Sequence, residues 1–578
     1  MRLSAALGVL LTLVLSVGQA SAHCSLDRFA ELPVTMSNLR PLITAKINGA
    51  DARFTIDSGA FYSTLDPAAA ARFHLRLEPV TNLVLYGVGG STGVSVTTVR
   101  VFTIAGVPVK NVQFLVPESL MGDETAGLLG QNVLDIGDVE YDFANGVMRL
   151  MRASGCGGKL LAYWLKPGES YGLVDLEPMS RGSSFAIGRV TVNGVRLRAL
   201  FDTGASTSVL TMAAARRAGI APEVMTDIGM TGGIGRRMIH TWITPVASFE
   251  IGGETIKNTR LRVSDMPGAD TDMLIGADFF LSHHVYVANS QTKLYFTYNG
   301  GPVFRLDTPS PEAEPTSGAQ AEDASTYARQ GAALASRQQY AAAVDDFSRA
   351  ITLAPNEADY RLRRGEALAA LKKEPLAIAD LNAALKLAPR DAAIRMARAE
   401  LRLAAHSPDK TAARADLDAA SNVLAKQADE RLELGRLYYQ TDAAGEAVGQ
   451  YDLWLASHRQ DARVAYARGE RCWVGALLGA DLKKAVADCN AALKARSNDP
   501  AILDSRGLAR LRLGDYDQAI ADYDLVLAAK PKTAWSLYGR GLAEIRKGAT
   551  ARGKADIAAA LAIDPDIAKT AAGYGIAP

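Results

Sequence analysis

The sequence predicts a multidomain chain in which an all-β double lobe precedes an all-α solenoid of helical repeats. Three observations carry that expectation. Residues 33 to 304 alternate apolar and polar positions in short runs broken by glycine, as in "ITAKINGADARFTI" and "FAIGRVTVNGVRLRALF", the period-two pattern of strands joined by Asn-Gly hairpins. Within them the phrase "RFTIDSGAFYSTL" (53–65) returns as "RALFDTGASTSVL" (198–210), so the β part is expected to hold one lobe twice. Beyond residue 326, Gly331, Ala343, Phe347, Ala350 and Pro355 recur 34 residues later as Gly365, Ala377, Leu381, Ala384 and Pro389, a period that belongs to stacked helical units.

Taken in order, "MRLSAALGVLLTLVLSVGQASAHC" has one Arg, an apolar stretch and a small-x-small site, the form of a cleaved export signal over residues 1–22. An uncleaved anchor would need about 20 apolar residues, and His23 before Cys24 disfavours a lipoprotein. No later run has spanning length, so a periplasmic or secreted protein without a membrane span is expected after signal removal. The first lobe is assigned to 33–152, a connection to 153–170 and the second lobe to 171–304. A linker follows at 305–325, where "TPSPEAEPTSGAQAEDAST" lacks large apolar residues. The repeats occupy 326–568.

At 578 residues with 48% hydrophobic content the chain can bury several cores. Its formal net charge of +1 gives no bulk electrostatic case for nucleic acid or an anionic surface. Export makes the four cysteines candidates for disulfides. Of three possible connectivities, Cys24–Cys156 and Cys472–Cys489 are favoured: the first pair brackets the first lobe and the second lies on two neighbouring helices. Free buried thiols remain the alternative, because spacing cannot establish the Cα approach a bridge requires.

The repeat pattern returns with Gly507, Ala519, Tyr523, Val526 and Pro531, and again with Gly541, Gly553, Ile557, Ala560 and Pro565; weaker copies lie around Ala399, Gly435 and Gly469. These residues and their period resemble tetratricopeptide repeats, about seven of them. In that family a small residue lets two antiparallel helices approach and proline closes the second. The resemblance implies a concave groove suited to a protein partner. Aromatics such as Tyr438 and Tyr451 are expected in the core.

The duplicated phrase places Asp57 and Asp202 on tight turns, each followed by a hydroxyl residue and a glycine: Ser58-Gly59 and Thr203-Gly204. Two carboxylates brought face to face cannot both ionise cheaply and share a proton, so one can act as general base toward water while the other donates to a carbonyl. Such a pair hydrolyses a peptide bond without metal or cofactor.

Asp57-Ser58-Gly59-Ala60 and Asp202-Thr203-Gly204-Ala205 resemble the active-site motifs of retroviral-type (retropepsin-like) aspartic proteases. A glycine-rich flap hairpin and a later bracing strand with glycine, features of that family, recur as "LYGVGGSTG" (85–93) and "GLLGQNVL" (127–134), then as "GMTGGIGRR" (229–237) and "MLIGADFF" (273–280). Asp57 precedes Gly130 by 73 residues and Asp202 precedes Gly276 by 74. The resemblance implies catalytic Asp57 and Asp202, loop support from Ser58, Gly59, Thr203 and Gly204, flap positions at Gly89, Gly90, Gly232 and Gly233, and a polypeptide substrate. Retroviral enzymes assemble their dyad from two identical chains; two unequal copies in one chain imply a monomer with an intramolecular dyad. Phe61 and Tyr62 stand where the second copy has Ser206 and Thr207, so unequal substrate pockets are expected.

Other chemistries find little support. His283 and His284 are adjacent on an expected strand and point to opposite faces, so no metal is expected, and no HExxH, G-x-S-x-G or phosphate-binding loop appears. The two readings left are an exported aspartic endopeptidase with a recruiting solenoid and a noncatalytic peptide-binding scaffold of the cell envelope.

Overall fold

The computed structural model describes residues 24–118, 125–166, 168–178, 185–232, 238–266, 270–300, 303–304, 323–459, 461 and 463–577. The expected signal segment, most of the linker and the flap residue Gly233 lie outside them. Among the described residues no helix is long and apolar enough to cross a membrane.

The same local chemistry starts both lobes. Arg40–Ile47 and Ala50–Ile56 are joined by Asn48-Gly49, both at positive φ (50° and 91°), and Ile187–Val192 and Val195–Phe201 by Asn193-Gly194 (49° and 80°). Both turns are of type I′, whose twist matches the flanking strands. The Asn side chains then tie each hairpin to its neighbour, Asn48 Oδ1 accepting from Val101 N and Asn193 Oδ1 from Ala247 N. Each lobe wraps its sheet into a barrel, closed in the first by Arg40–Ile47 on Gly90–Ile104 and in the second by Ile187–Val192 on Ile239–Ile251. In each, a three-residue strand pairs parallel with the strand that leads into the aspartate-bearing loop: Gly127–Leu129 with Ala50–Ile56, and Met273–Ile275 with Val195–Phe201.

A third, six-stranded antiparallel sheet joins the lobes. Its order is Ser25–Pro33, Val147–Ser154, Asp138–Asp142, His283–Ala288, Lys293–Tyr298, Gly172–Asp175, and the lobes meet where Val139, Glu140 and Tyr141 pair with Val287, Tyr286 and Val285. Cys24 is disulfide-bonded to Cys156 at its edge, with the Cα atoms 4.4 Å apart. Above it one continuous core runs through both lobes and takes in Val303, Phe304 and Ala333.

Ala333 belongs to the first helix of the solenoid, Ala324–Ser336, which packs on Thr35–Ser37 and the short turn Phe143–Asn145. Gln330 Nε2 donates to Asn145 Oδ1 at 3.3 Å, and Arg337 donates to the Gly300 carbonyl. The solenoid is therefore rooted in the base of the double lobe. Among the described residues the solenoid comprises seven helix pairs, from Ala324–Ser336 with Tyr340–Leu353 to Ala534–Arg546 with Thr550–Ile563, capped by Ile567–Gly573.

Glycine sets the spacing within pairs. A Cβ on Gly435 would lie 2.7 Å from the Tyr451 ring, and one on Gly507 2.8 Å from Tyr523, so a side chain there would force the helices apart. In the fifth pair Cys472 and Cys489 occupy these two positions and are bonded, Cα–Cα 5.7 Å. The small residue of this repeat is thus Cys472 rather than Gly469, which faces Ile502 of the next pair. Arginine forks add a polar staple beside the contact. Arg364, Arg398, Arg471, Arg506 and Arg540 each grip an aspartate of the partner helix (Asp380, Asp416, Asp488, Asp522, Asp556) and donate a further bond to the preceding pair.

Candidate active site

The two aspartates sit on loops that leave Ala50–Ile56 and Val195–Phe201 and cross at the lobe interface. Each loop is pinned at its root by the parallel bracing strand: Asp57 N donates to Leu129 O at 3.0 Å and Asp202 N to Ile275 O at 2.8 Å. Each then folds back on its own carboxylate, Gly59 N reaching Asp57 Oδ1 and Gly204 N reaching Asp202 Oδ1, both at 2.9 Å.

Four buried bonds lock one loop to the other. Ser58 N donates to Thr203 Oγ1 (3.0 Å) and Thr203 N to Ser58 Oγ (2.9 Å); each hydroxyl then donates onward across the interface, Ser58 Oγ to Phe201 O and Thr203 Oγ1 to Ile56 O, both 2.9 Å. Both hydroxyls and both amides of this cluster are satisfied, as burial of Ser58 at 4% and Thr203 at 0% exposure requires.

The lock brings the carboxyls together. A Cβ on Gly59 would lie 2.4 Å from Asp202 Cγ, and one on Gly204 2.3 Å from Asp57 Cγ, so each carboxyl lies directly over the glycine of the other loop. Both are half-buried at the surface yet closely surrounded by protein. Burial raises both above the ordinary carboxylate range, and the facing Asp202 charge pushes Asp57 well up; for Asp202 the bonds from Asp57, Gly204, Ala205 and Gly59 oppose the rise. Two carboxyls in such contact favour the state with a single proton between them.

A second ring of contacts, not singled out from the sequence, fixes the loops from behind. Ser63 Oγ accepts from Gly130 N (3.1 Å) and donates to Asn132 Oδ1 (2.8 Å); in the other lobe Ser208 Oγ accepts from Gly276 N (2.9 Å) and donates to Asp278 Oδ1 (2.7 Å). The signal was available, since both serines stand six residues after the aspartate and both amide or acid partners two residues after the bracing glycine. Gln131, whose Nε2 donates to Ser58 O at 2.7 Å, had no such signal: its counterpart is Ala277.

Gly89 and Gly90 lie at the tip of the hairpin formed by Glu78–Gly87 and Gly90–Ile104, with Gly90 at φ 97°. Gly232 follows the strand Thr226–Thr231 at the corresponding hairpin of the second lobe. Phe61 and Tyr62 meet edge to face (4.7 Å), and Phe61 meets Phe185 at 6.3 Å; Ser206 and Thr207 offer no aromatic equivalent.

His283 and His284 turn to opposite faces, toward Glu254 (3.0 Å) and Glu140 (2.8 Å). Among the described residues, Glu140, Asp142 and His284 are the one trio with metal-compatible spacing. Glu140 is already engaged by His284, Tyr163 (2.7 Å) and Arg149 (2.6 Å), with Arg149 4.0 Å from Asp142. A guanidinium occupies the place a cation would take, so the trio is an internal ion-pair network.

Comparison with known proteins agrees with this geometry. Residues 43–133 and 188–279 both match the family model described as aspartyl protease. Two tandem segments similar to that family thus lie one in each lobe. Residues 501–533 match the tetratricopeptide repeat model. No curated protein matches the chain. Among solved structures, a tetratricopeptide repeat protein from Parabacteroides merdae is 16% identical, covering 43% of this chain and 96% of that one at a TM-score of 0.32. The PilF protein of Pseudomonas aeruginosa is 15% identical, with 36% and 92% covered at 0.28.

Proposed function

We propose that the double lobe is an aspartic endopeptidase of retropepsin-like type, working as a monomer whose dyad closes within one chain, and that the solenoid recruits substrate or a protein partner. The observation that carries this is the mutual seating of Asp57 and Asp202, each over the other loop's glycine, with the Ser58–Thr203 lock holding them there. Geometry of this kind is costly, because it forces two carboxyls into like-charge contact, and its return is a shared proton on a pair that is still partly exposed.

The steps follow from the atoms. A water between the carboxyls gives its proton to the ionised member as it attacks the scissile carbonyl carbon. The protonated member donates to the carbonyl oxygen, and the gem-diol then collapses as the amide nitrogen takes a proton and leaves. Gly59 N and Gly204 N stabilise the ionised form and hold the carboxyl planes fixed. Two disulfides favour an oxidising compartment, periplasmic or extracellular.

The test is cleavage of an unfolded protein by the purified chain from about pH 3 to about pH 8, read by mass spectrometry. Asp57→Asn and Asp202→Asn should each reduce turnover at least about a thousandfold while leaving the fold intact. A bell-shaped profile is expected, since both the fully protonated and the fully ionised pair are inactive. Absence of cleavage throughout the range favours the noncatalytic scaffold, and loss with only one substitution points to one lobe acting in a dimer.

A further inference from the structure

Beyond its root in the base of the double lobe, the solenoid meets the first lobe a second time. The turn after Ala444–Ser457, carrying His458, Arg459 and Asp461, forms one wall of a cavity of 230 Å³, and Asp66, Leu77, Ser95 and Glu118 stand on the other. The two meetings differ in kind. At the root Ala333 joins a continuous apolar core, whereas here charged groups face one another across a void, so this contact can open without exposing a core. The lobe side of the cavity is the base of the hairpin that carries Gly89 and Gly90. Leu77 directly precedes its strand Glu78–Gly87, and Ser95 pairs with Pro79 and Val116. Glu118 N donates to Gly93 O at 2.8 Å, and its carboxyl lies over Gly93, where a Cβ would come within 2.9 Å of Cδ. A turn seated against these residues holds the hairpin at its base.

Asp66 carries a charge that its local task does not require. Its carboxyl caps Pro67–Arg72 by accepting from Ala68 N at 2.7 Å, and its own N–H donates to Ala126 O at 2.8 Å. In the second lobe Thr211 does both with a neutral side chain: Oγ1 accepts from Ala214 N at 3.0 Å to cap Met212–Arg217, and the N–H donates to Asp272 O at 2.9 Å. The acid stands on the lobe whose wall meets the turn, and there it faces Asp461 and Asp429, with His458 opposing them.

We propose that the turn carrying His458 and Asp461 is a detachable clasp on the base of the Gly89-Gly90 hairpin, released when Asp66 ionises against Asp461 and Asp429. The lobe adds the Glu118 carboxyl to the negative side, and Arg459 and His458 of the turn stand against it. Arg463 holds Asp429 (2.5 Å) and Asp461 (2.8 Å) in place, Trp454 Nε1 donates to Asp429 Oδ1 at 3.1 Å, and the His458 ring stacks on Trp454 at 4.5 Å. The solenoid side is thus a fixed array, and Asp66 is the group that responds to pH. Burial is the first cause that pushes Asp66 up to about 6; Asp461 and Asp429 add to it, while the Ala68 amide and His458 oppose it. Lifting the turn removes the two facing charges and admits water, returning Asp66 toward the ordinary aspartate value of about 4. The seated form therefore holds the extra proton. The clasp is firm below about pH 4 and weakens as pH rises to about 6, by about tenfold between pH 5 and pH 7.

Amide hydrogen exchange tests the clasp without calling on activity. Full-length Asp202→Asn protein, chosen to preclude self-digestion, is followed by mass spectrometry at about pH 5 and about pH 7 with intrinsic rates corrected. Protection in Glu78–Gly87 and Gly90–Ile104 should fall about tenfold at the higher pH, while the second lobe's Thr226–Thr231 and Ile239–Ile251 stay unchanged. Asp66→Asn, which keeps the helix cap through its amide oxygen, should hold the first hairpin protected at both pH values. Equal pH dependence in both hairpins, none in the first, or a dependence that survives Asp66→Asn overturns the clasp. Its effect on cleavage rests on the endopeptidase reading, since a hairpin fixed at its base closes over substrate with less left to order. With Asp202 intact, the Asp66→Asn chain should match the unsubstituted one in KM for an unfolded protein at about pH 5 and show a several-fold lower KM at about pH 6.5, with kcat the same in both. A KM ratio that does not move with pH refutes the coupling to substrate. Absence of cleavage by either chain sinks the endopeptidase reading, and the exchange result stands without it.

Discussion

The two lobes agree wherever an atom positions a carboxyl and differ wherever it does not. The bracing bonds to Asp57 N and Asp202 N, the glycine amides on each carboxylate, the hydroxyl lock and the serines behind Gly130 and Gly276 are matched to within a few tenths of an ångström. By contrast, Gln131 has Ala277 as its counterpart, Asn132 has Asp278, and Phe61-Tyr62 has Ser206-Thr207. A homodimer must change both halves together. With two copies in one chain, each lobe is free to diverge, and the divergence has collected in the wall and the support while the dyad has kept its symmetry.

The sharpest way to break this comparison is to crowd the centre. Gly59→Ala would drive a methyl into Asp202, and Gly204→Ala one into Asp57, at separations of 2.4 and 2.3 Å from Cγ that no relaxation of the loops can absorb without moving a carboxyl. Cleavage should fall at least about a hundredfold in either variant, because displacement near one ångström has that consequence for a positioned catalytic group. Gly157→Ala, with nothing within 4 Å of the added carbon, should leave turnover unchanged. Tolerance at one glycine and loss at the other would show that the lobes are not equivalent at the dyad.

The lock gives a smaller, thermodynamic version of the same test. Ser58→Ala and Thr203→Ala each leave one buried N–H and one buried carbonyl unpaired, a cost of about 2–3 kcal/mol apiece in urea denaturation. Thr203→Ser should restore most of it, since only the methyl is lost. The double Ala variant should cost less than the sum, because each hydroxyl serves the other's amide.

Much of this architecture is legible in the sequence, and what is not has a common cause. Asp57, Asp202 and their followers announce themselves because a catalytic turn needs a fixed residue order, and the solenoid does so because a close helix contact must recur every 34 residues. The sheet joining the lobes is invisible in sequence: Val139–Tyr141 meets Val285–Val287 through backbone bonds across about 145 residues, and backbone pairing prescribes no side chain. The docking of Ala324–Ser336 on the lobe base is hidden for a related reason, being made by Ala333, Gln330 and Arg337, ordinary helix residues in any repeat. In the fifth repeat chemistry misdirected the pattern, since Cys472 fills a position read as glycine and the nearest glycine is one turn away.

The subtlest difference between the lobes lies behind the loops, where Asn132 and Asp278 do the same bonding with different charge. Asp278, 4% exposed, is pushed up to about 6 by burial, against the opposing bonds from Ser208 and Phe279. Its folded pKa therefore exceeds its unfolded one, so the folded state holds an extra proton between about pH 4 and about pH 6, and stability must fall as pH rises through that window. Asn132 cannot titrate, and the first lobe carries no such term at this position. Asp278→Asn should thus be neutral at about pH 3.5 and stabilising by about 1–2 kcal/mol at pH 7, the amide oxygen accepting from Ser208 as Asn132 Oδ1 accepts from Ser63. Chemical denaturation at the two pH values checks the sign. A variant less stable at neutral pH than the unsubstituted chain would mean that the ionised Asp278 is an asset to the second lobe, and that the exchange of amide for acid behind the Asp202 loop is an adaptation of that lobe and not a tolerated drift.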